Sequence, residues 1–291
     1  MSKVYQITSS WSGFSSVKKL MIFGDSYSSV GYVGSDPHPS ASNPLGVPFP
    51  GLETCMWNEA GTPNWVGHFI TKYSSPRFDP EGKVQVEEFS DAPILVYDFA
   101  VGGQTVSGVA GQIEDKFLPS VGKKPDWAPW DITDSLFVTW IGINDCAYAK
   151  EHAKNIARLF ELQEKLYDAG ARNFLFFDVP PIHRCPGVHQ RQEKAASETH
   201  SNWNTHLRSA LDSFTKSHPD STVLLFSSFE VFNHILDEYE AYGFKAKEIR
   251  QPFGAVWNDF LHPTSKIHDI LAAHFADFLQ SVSLPASARE S

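Results

Sequence analysis

Five short apolar runs, at residues 20–23, 94–99, 136–141, 174–177 and 223–226, constrain the fold more than any other feature of this chain. Each is apolar on both faces, the pattern of a strand buried inside a parallel sheet rather than one with a solvated side. Between them recur helical patterns, over about 64–72, 104–117, 151–169, 190–216, 229–242 and 265–281. The clearest, 151–169, sets Ile156, Leu159, Phe160, Leu166 and Tyr167 on one stripe, and Gly170 supplies its stop. Strand and helix in alternation predict an α/β protein, a parallel sheet covered on both sides and joined by right-handed crossovers. With 291 residues, 42% of them hydrophobic, and no repeat, one domain spanning 1–291 is the expectation.

Two stretches break the alternation. Residues 35–63 are rich in Pro, Gly, Ser and Asn and contain Phe49, Met56 and Trp57. A loop of this length in a compact domain is usually functional, and it reads as a pocket wall. The segment 180–186, with Pro180, Pro181 and Pro186 around His183 and Cys185, reads as part of the same rim.

A formal net charge of -10 argues against nucleic acid or an anionic membrane as partner, because nothing neutralises phosphates, and favours a small neutral substrate. Cys55, Cys146 and Cys185 lie far apart, which leaves room for one disulfide but spells out neither a zinc knuckle nor a redox pair. No apolar run approaches the roughly 18 residues of a membrane span. The start of the chain has no leader pattern and no Asn-x-Ser/Thr acceptor occurs, so a cytoplasmic protein is expected, or a secreted one if a leader has been removed.

The chemistry-bearing residues follow the strands. Ser26, in Gly24-Asp25-Ser26-Tyr27-Ser28, comes directly after the first run, where open α/β sheets place their ligands. Serine is also a favoured helix N-cap, so alone it decides little. Asp259 and His262 stand three apart; on a helical turn that spacing makes them neighbours, carboxylate against imidazole. The same residues also suit a turn cap and the entry to the last helix. Gly102-Gly103 after the second run and Asn144 after the third offer donors to a developing oxyanion, through a close-approaching backbone N–H and a neutral amide. Each is equally at home in an ordinary turn.

Asp25 and Asp145 read as structural hydrogen-bonding residues, Trp140 and Trp203 as core, and Trp57 as a better candidate for contact with a ligand. Histidine pairs at spacing six scatter around a helix, so no metal face is expected. The absence of any G-x-S-x-G excludes the nucleophile elbow of α/β-hydrolases.

Taken in order, serine after the first strand, glycine after the second, asparagine after the third and Asp-x-x-His before the last helix resemble the SGNH (GDSL-type) hydrolase superfamily, over about residues 19–280. Tyr27 stands where leucine is usual in the GDSL signature. Gly24-Asp25-Ser26-Tyr27, Pro63-Asn64-Trp65-Val66, Ala100-Val101-Gly102-Gly103 and Trp140-Ile141-Gly142 are most similar to fungal acetyl esterases of carbohydrate esterase family 16. The resemblance implies a three-layer α/β/α sandwich with a flavodoxin-like, five-stranded parallel sheet in the order 2-1-3-4-5. It implies hydrolysis of small acyl esters through an acyl-enzyme, without cofactor or metal. Ser26 is then the nucleophile, Asp259 and His262 its acid–base partners, and Ser26, Gly103 and Asn144 the oxyanion donors. A lipase or phospholipid acylhydrolase of the same superfamily is the rival within hydrolysis. A non-catalytic small-molecule binder on a flavodoxin-like sheet is the rival outside it.

Overall fold

The computed structural model describes residues 1–35, 37–74, 93–148 and 151–283. Its strands are β1 (Lys3–Gln6), β2 (Lys19–Gly24), β3 (Leu95–Asp98), β4 (Ser135–Trp140), β5 (Asn173–Phe177) and β6 (Thr222–Phe226). They form one sheet in the order β1-β6-β5-β4-β2-β3. The five expected strands, β2 to β6, pair in parallel, and counted among themselves they follow the order 2-1-3-4-5. The sixth, β1, was not foreseen: it lies antiparallel to β6 at the edge, Lys3 opposite Leu225. Its sequence Lys-Val-Tyr-Gln lacks the apolar run of an interior strand because an edge is wet, and Val4 is exposed.

The helices are α1 (Trp65–His68), α2 (Val106–Gly111), α3 (Ile143–Tyr148), α4 (His152–Asp168), α5 (Glu193–Ser217), α6 (Ser228–Asp237) and α7 (Ser265–Ser281). Wider π-helical turns extend α1 through Phe69–Tyr73 and α2 through Gln112–Phe117. The helix α6 stops at Asp237 rather than near 242, where the chain tightens into turns between Glu238 and Gly243.

Adjacent residues of one strand show that the sheet is covered on both faces, since successive side chains point oppositely. Phe177 of β5 packs on Trp65 of α1 and Phe275 of α7. Its neighbour Phe176 stacks on Phe160 of α4, and Phe174 meets Phe214 of α5. The result is a three-layer sandwich. All three cysteines are free, so the disulfide left open by the sequence does not form. Among the described residues no helix is long and apolar enough to cross a membrane.

Register places the site. Gly24 at the end of β2 lies opposite Trp140 at the end of β4, and Ile22 opposite Asp98 at the end of β3. The chain leaves β2 for β3 on one side and later adds β4 on the other, so β2 ends at the point where strand order reverses. Open α/β sheets bind ligands in the crevice at that point.

Candidate active site

Ser26 sits in a turn and not, as its surroundings suggested, at the start of a helix. The Asp25 carbonyl accepts from the Ser28 and Ser29 N–H groups, each at 3.1 Å, and regular helix resumes only at Trp65. Asn64 secures this turn from outside: its Nδ2 donates to the carbonyls of Ser28 at 2.9 Å and Ser29 at 3.1 Å. Ser26 is nearly buried, at 6% exposure.

His262 arrives on a tight loop. The Asn258 N–H donates to the His262 carbonyl at 2.9 Å, and a bridge joins Trp257 to Pro263. Asp259 organises the tip: Oδ1 accepts from the Leu261 N–H at 2.6 Å and the His262 N–H at 2.7 Å, while Oδ2 accepts from His262 Nδ1 at 2.7 Å. The spacing of three therefore works through an aspartate-centred turn and not the helical turn expected. The turn-capping and imidazole-orienting readings of Asp259 are both realised, by different oxygens. Burial works to raise the Asp259 carboxyl, but the hydrogen bonds from the His262 ring and from the His262 and Leu261 N–H groups outweigh it and hold it below its ordinary value. An ionised carboxylate only accepts, so the proton of the ring sits on Nδ1. Nε2 is left as an acceptor, and it lies 2.9 Å from Ser26 Oγ.

The two loops expected to carry oxyanion donors meet beside this line. Asn144 lies in the first turn of α3, where a plain loop had been expected, and is buried at 7% exposure. Its Nδ2 donates to the Gln104 carbonyl at 2.9 Å and lies 3.4 Å from Asp25 Oδ2, so it ties the Gly103 loop to the residue before Ser26. Gly103 has φ of 76° and open space where a side chain would project, a left-handed turn that leaves its peptide uncovered.

Asp25 and Asp145 hold backbone, as expected. Asp25 Oδ1 accepts from the Tyr27 N–H at 3.1 Å, and both Asp145 oxygens accept from Val106 at the start of α2. Burial pushes the Asp25 carboxyl up to about 7, against the Tyr27 N–H and with a contribution from Asp145.

Trp140 and Trp203 are core, each at 0% exposure. Trp57, at the end of the long loop, reaches the site: its ring centroid lies 4.9 Å from that of His262. The 180–186 segment leads to Gly187, whose N–H donates to the Phe260 carbonyl at 2.7 Å, so this rim braces the His262 loop. Sequence reasoning missed Tyr27 as more than a departure from the usual signature. Its buried hydroxyl donates to the Leu261 carbonyl at 2.8 Å, directly before the base.

An imidazole that accepts from a serine hydroxyl on one side and is fixed by a carboxylate on the other can raise that oxygen's nucleophilicity toward a carbonyl. The comparisons agree with that chemistry. The model of the GDSL-like lipase/acylhydrolase family matches residues 20–275. An acetylesterase of Thermothelomyces thermophilus is 32% identical over 287 residues, covering 90% of this chain and 88% of that protein. Among solved structures, the acetylxylan esterase Axe2 of Geobacillus stearothermophilus superposes with a TM-score of 0.53 at 15% identity, over 92% of this chain and 97% of that one. The acetyl xylan esterase AlAXEase gives 0.51 at 13% identity, over 89% and 98%. On its sequence match and its fold, the chain belongs to the GDSL-like lipase/acylhydrolase family and is a carboxylic ester hydrolase.

Proposed function

We propose that the chain hydrolyses acetyl and other short acyl esters through an acyl-enzyme on Ser26. The observation that carries this is the continuous line from Asp259 Oδ2 to His262 Nδ1 at 2.7 Å and from His262 Nε2 to Ser26 Oγ at 2.9 Å. Ser26 Oγ attacks the ester carbonyl as His262 Nε2 takes its proton, and Asp259 stabilises the imidazolium. The Ser26 and Gly103 N–H groups and the Asn144 amide receive the oxyanion; one such donor is typically worth about 10²–10³ in kcat. Nε2 then returns the proton to the departing alcohol. A water attacks the acyl-enzyme by the same path, releasing the acid and restoring Ser26.

Acetate as the preferred acyl group is supported by the similarity to the Thermothelomyces acetylesterase. We extend the proposal to acetylated carbohydrates, the class named for acetylxylan esterases that share the fold. The decisive experiment labels the enzyme with an organophosphonate and locates the adduct by peptide mass spectrometry. The adduct is expected on Ser26, and Ser26→Ala is expected to lose both labelling and nearly all turnover of 4-nitrophenyl acetate. Full activity in Ser26→Ala refutes the nucleophile. Preference for octanoate over acetate would favour the lipase rival, and acetate release from acetylated xylo-oligosaccharides tests the carbohydrate half.

A further inference from the structure

We infer that Trp57 sets the acyl length this enzyme accepts, by standing as the shared wall between the reacting carbonyl and a preformed apolar cavity. The inference rests on the proposed roles of Ser26, Gly103 and His262, and adds to them a specificity-determining residue.

The indole spans two elements of the site at once. Its ring lies 4.9 Å from the His262 ring, inclined at 31°. It also covers Gly102, where any Cβ would collide with the indole nitrogen and its neighbouring carbons, so glycine is required there for the ring to lie against the backbone. Trp57 thus reaches from the base to the loop that presents Gly103. Its own backbone is tied to the base loop, Asn258 Nδ2 donating to the Trp57 carbonyl at 3.3 Å. At 41% exposure the ring is not locked into the core, unlike Trp65, Trp140 or Trp203.

Trp57 also lines a cavity of about 310 Å³, together with Gly31, Tyr32, Val33, Ala100 and Val101. This volume falls at the small end of ligand pockets, which run from roughly 300 to 1,000 Å³. Of its eleven lining residues Lys116 carries the one charge and Ser29, Tyr32 and Thr54 carry hydroxyls, while the greater part of the exposed wall is apolar. A sugar ring, with a hydroxyl on most carbons, loses hydrogen bonds to water in such a place and finds few to replace them. A hydrocarbon chain loses none and gains apolar burial with each methylene. The cavity is therefore suited to an acyl tail and not to a polyol. Lying against both His262 and Gly102 while lining the cavity, the indole is placed to meet a chain longer than acetyl that runs from the carbonyl toward that cavity.

The test compares wild type with Trp57→Ala, Trp57→Leu and Trp57→Phe on 4-nitrophenyl acetate, butyrate, hexanoate and octanoate. Active sites are counted by organophosphonate titration, so that only folded enzyme enters the rates. Wild type is expected to favour acetate. Trp57→Ala is expected to raise the hexanoate-to-acetate ratio of kcat/KM at least ten-fold, with Trp57→Leu beside it and Trp57→Phe between. An unchanged ratio in variants that titrate normally overturns the inference. Wild type that turns over none of these esters overturns the reading of the site itself, a separate failure. Should Trp57→Ala not titrate, Trp57→Leu and Trp57→Phe decide the matter by the same ratio.

Discussion

The hydroxyl of Tyr27 donates to the Leu261 carbonyl at 2.8 Å, so the residue after the proposed nucleophile holds the backbone just before the proposed base. The ring is fully buried, edge-on to Trp140, and leucine, the usual residue at this place in the signature, has no donor to offer. Tyr27→Phe keeps the ring and deletes the bond, leaving a part-buried carbonyl without this donor at a cost of about 1 kcal/mol. Because the bond orients Ser26 toward His262 and touches no substrate, kcat is expected to fall a few-fold with KM little changed, part of that cost appearing in the transition state. Steady-state kinetics on acetate check this, and equal losses in kcat and KM would argue for a merely structural bond. Ser26, Asp259 and His262, which the fold brings together, were legible as candidates because each sits in a short local pattern. The Tyr27 hydroxyl was not, because its acceptor lies 234 residues away.

At the scale of elements, the site depends on caps and turns more than on helices. Asn64 caps α1, its Oδ1 accepting from Val66 and Gly67, while its Nδ2 holds the turn after Ser26. Asn64→Ala removes both, and destabilisation of about 2 kcal/mol or more is expected from a lost cap and two abandoned carbonyls. Asn64→Asp keeps the cap acceptor but turns a second carboxylate oxygen against the Ser28 and Ser29 carbonyls in a buried place, so urea melts should place it no higher than alanine. The long loop read as a pocket wall does supply Trp57 to the site, and its composition gave that away. The helix α3 stayed hidden because Ile143-Asn144-Asp145-Cys146 is a run of poor helix formers, ordered here by what packs around it. The aspartate-centred turn at 259–262 was hidden for another reason: a spacing of three suits a helix and a tight loop alike.

Across the whole molecule, burial of ionisable groups couples stability to pH in opposing directions. Burial lowers His268 to about 3, with the neighbouring His68 and His262 adding to the effect. With the folded value below the usual 6.5, the unfolded chain takes up the proton first, so this group's contribution is full above about pH 6.5 and is lost as pH falls toward 3. Asp25, raised to about 7 by burial, works the other way: its contribution is full below its ordinary carboxyl range and is lost as pH rises through 7. The two are separable by substitution. His268→Leu removes only the first, so its deficit relative to wild type is expected to narrow by about 2 kcal/mol between pH 6.5 and pH 5. Urea melts of both proteins at the two pH values measure it, and a constant deficit would show that His268 is not held neutral.

By itself the sequence determined the layers, the five parallel strands and the residues at their ends, because local apolar runs and short motifs are written in consecutive residues. It did not determine β1, whose partner strand supplies the pairing that its own four residues do not demand. Only the tertiary structure decided how Ser26 and His262 come to 2.9 Å, which oxygen of Asp259 does which task, and that Trp57 faces both the base and an apolar cavity. Those are relations between segments far apart in the chain, and distance in space is fixed by packing the whole sheet and its helices, not by any one stretch of residues.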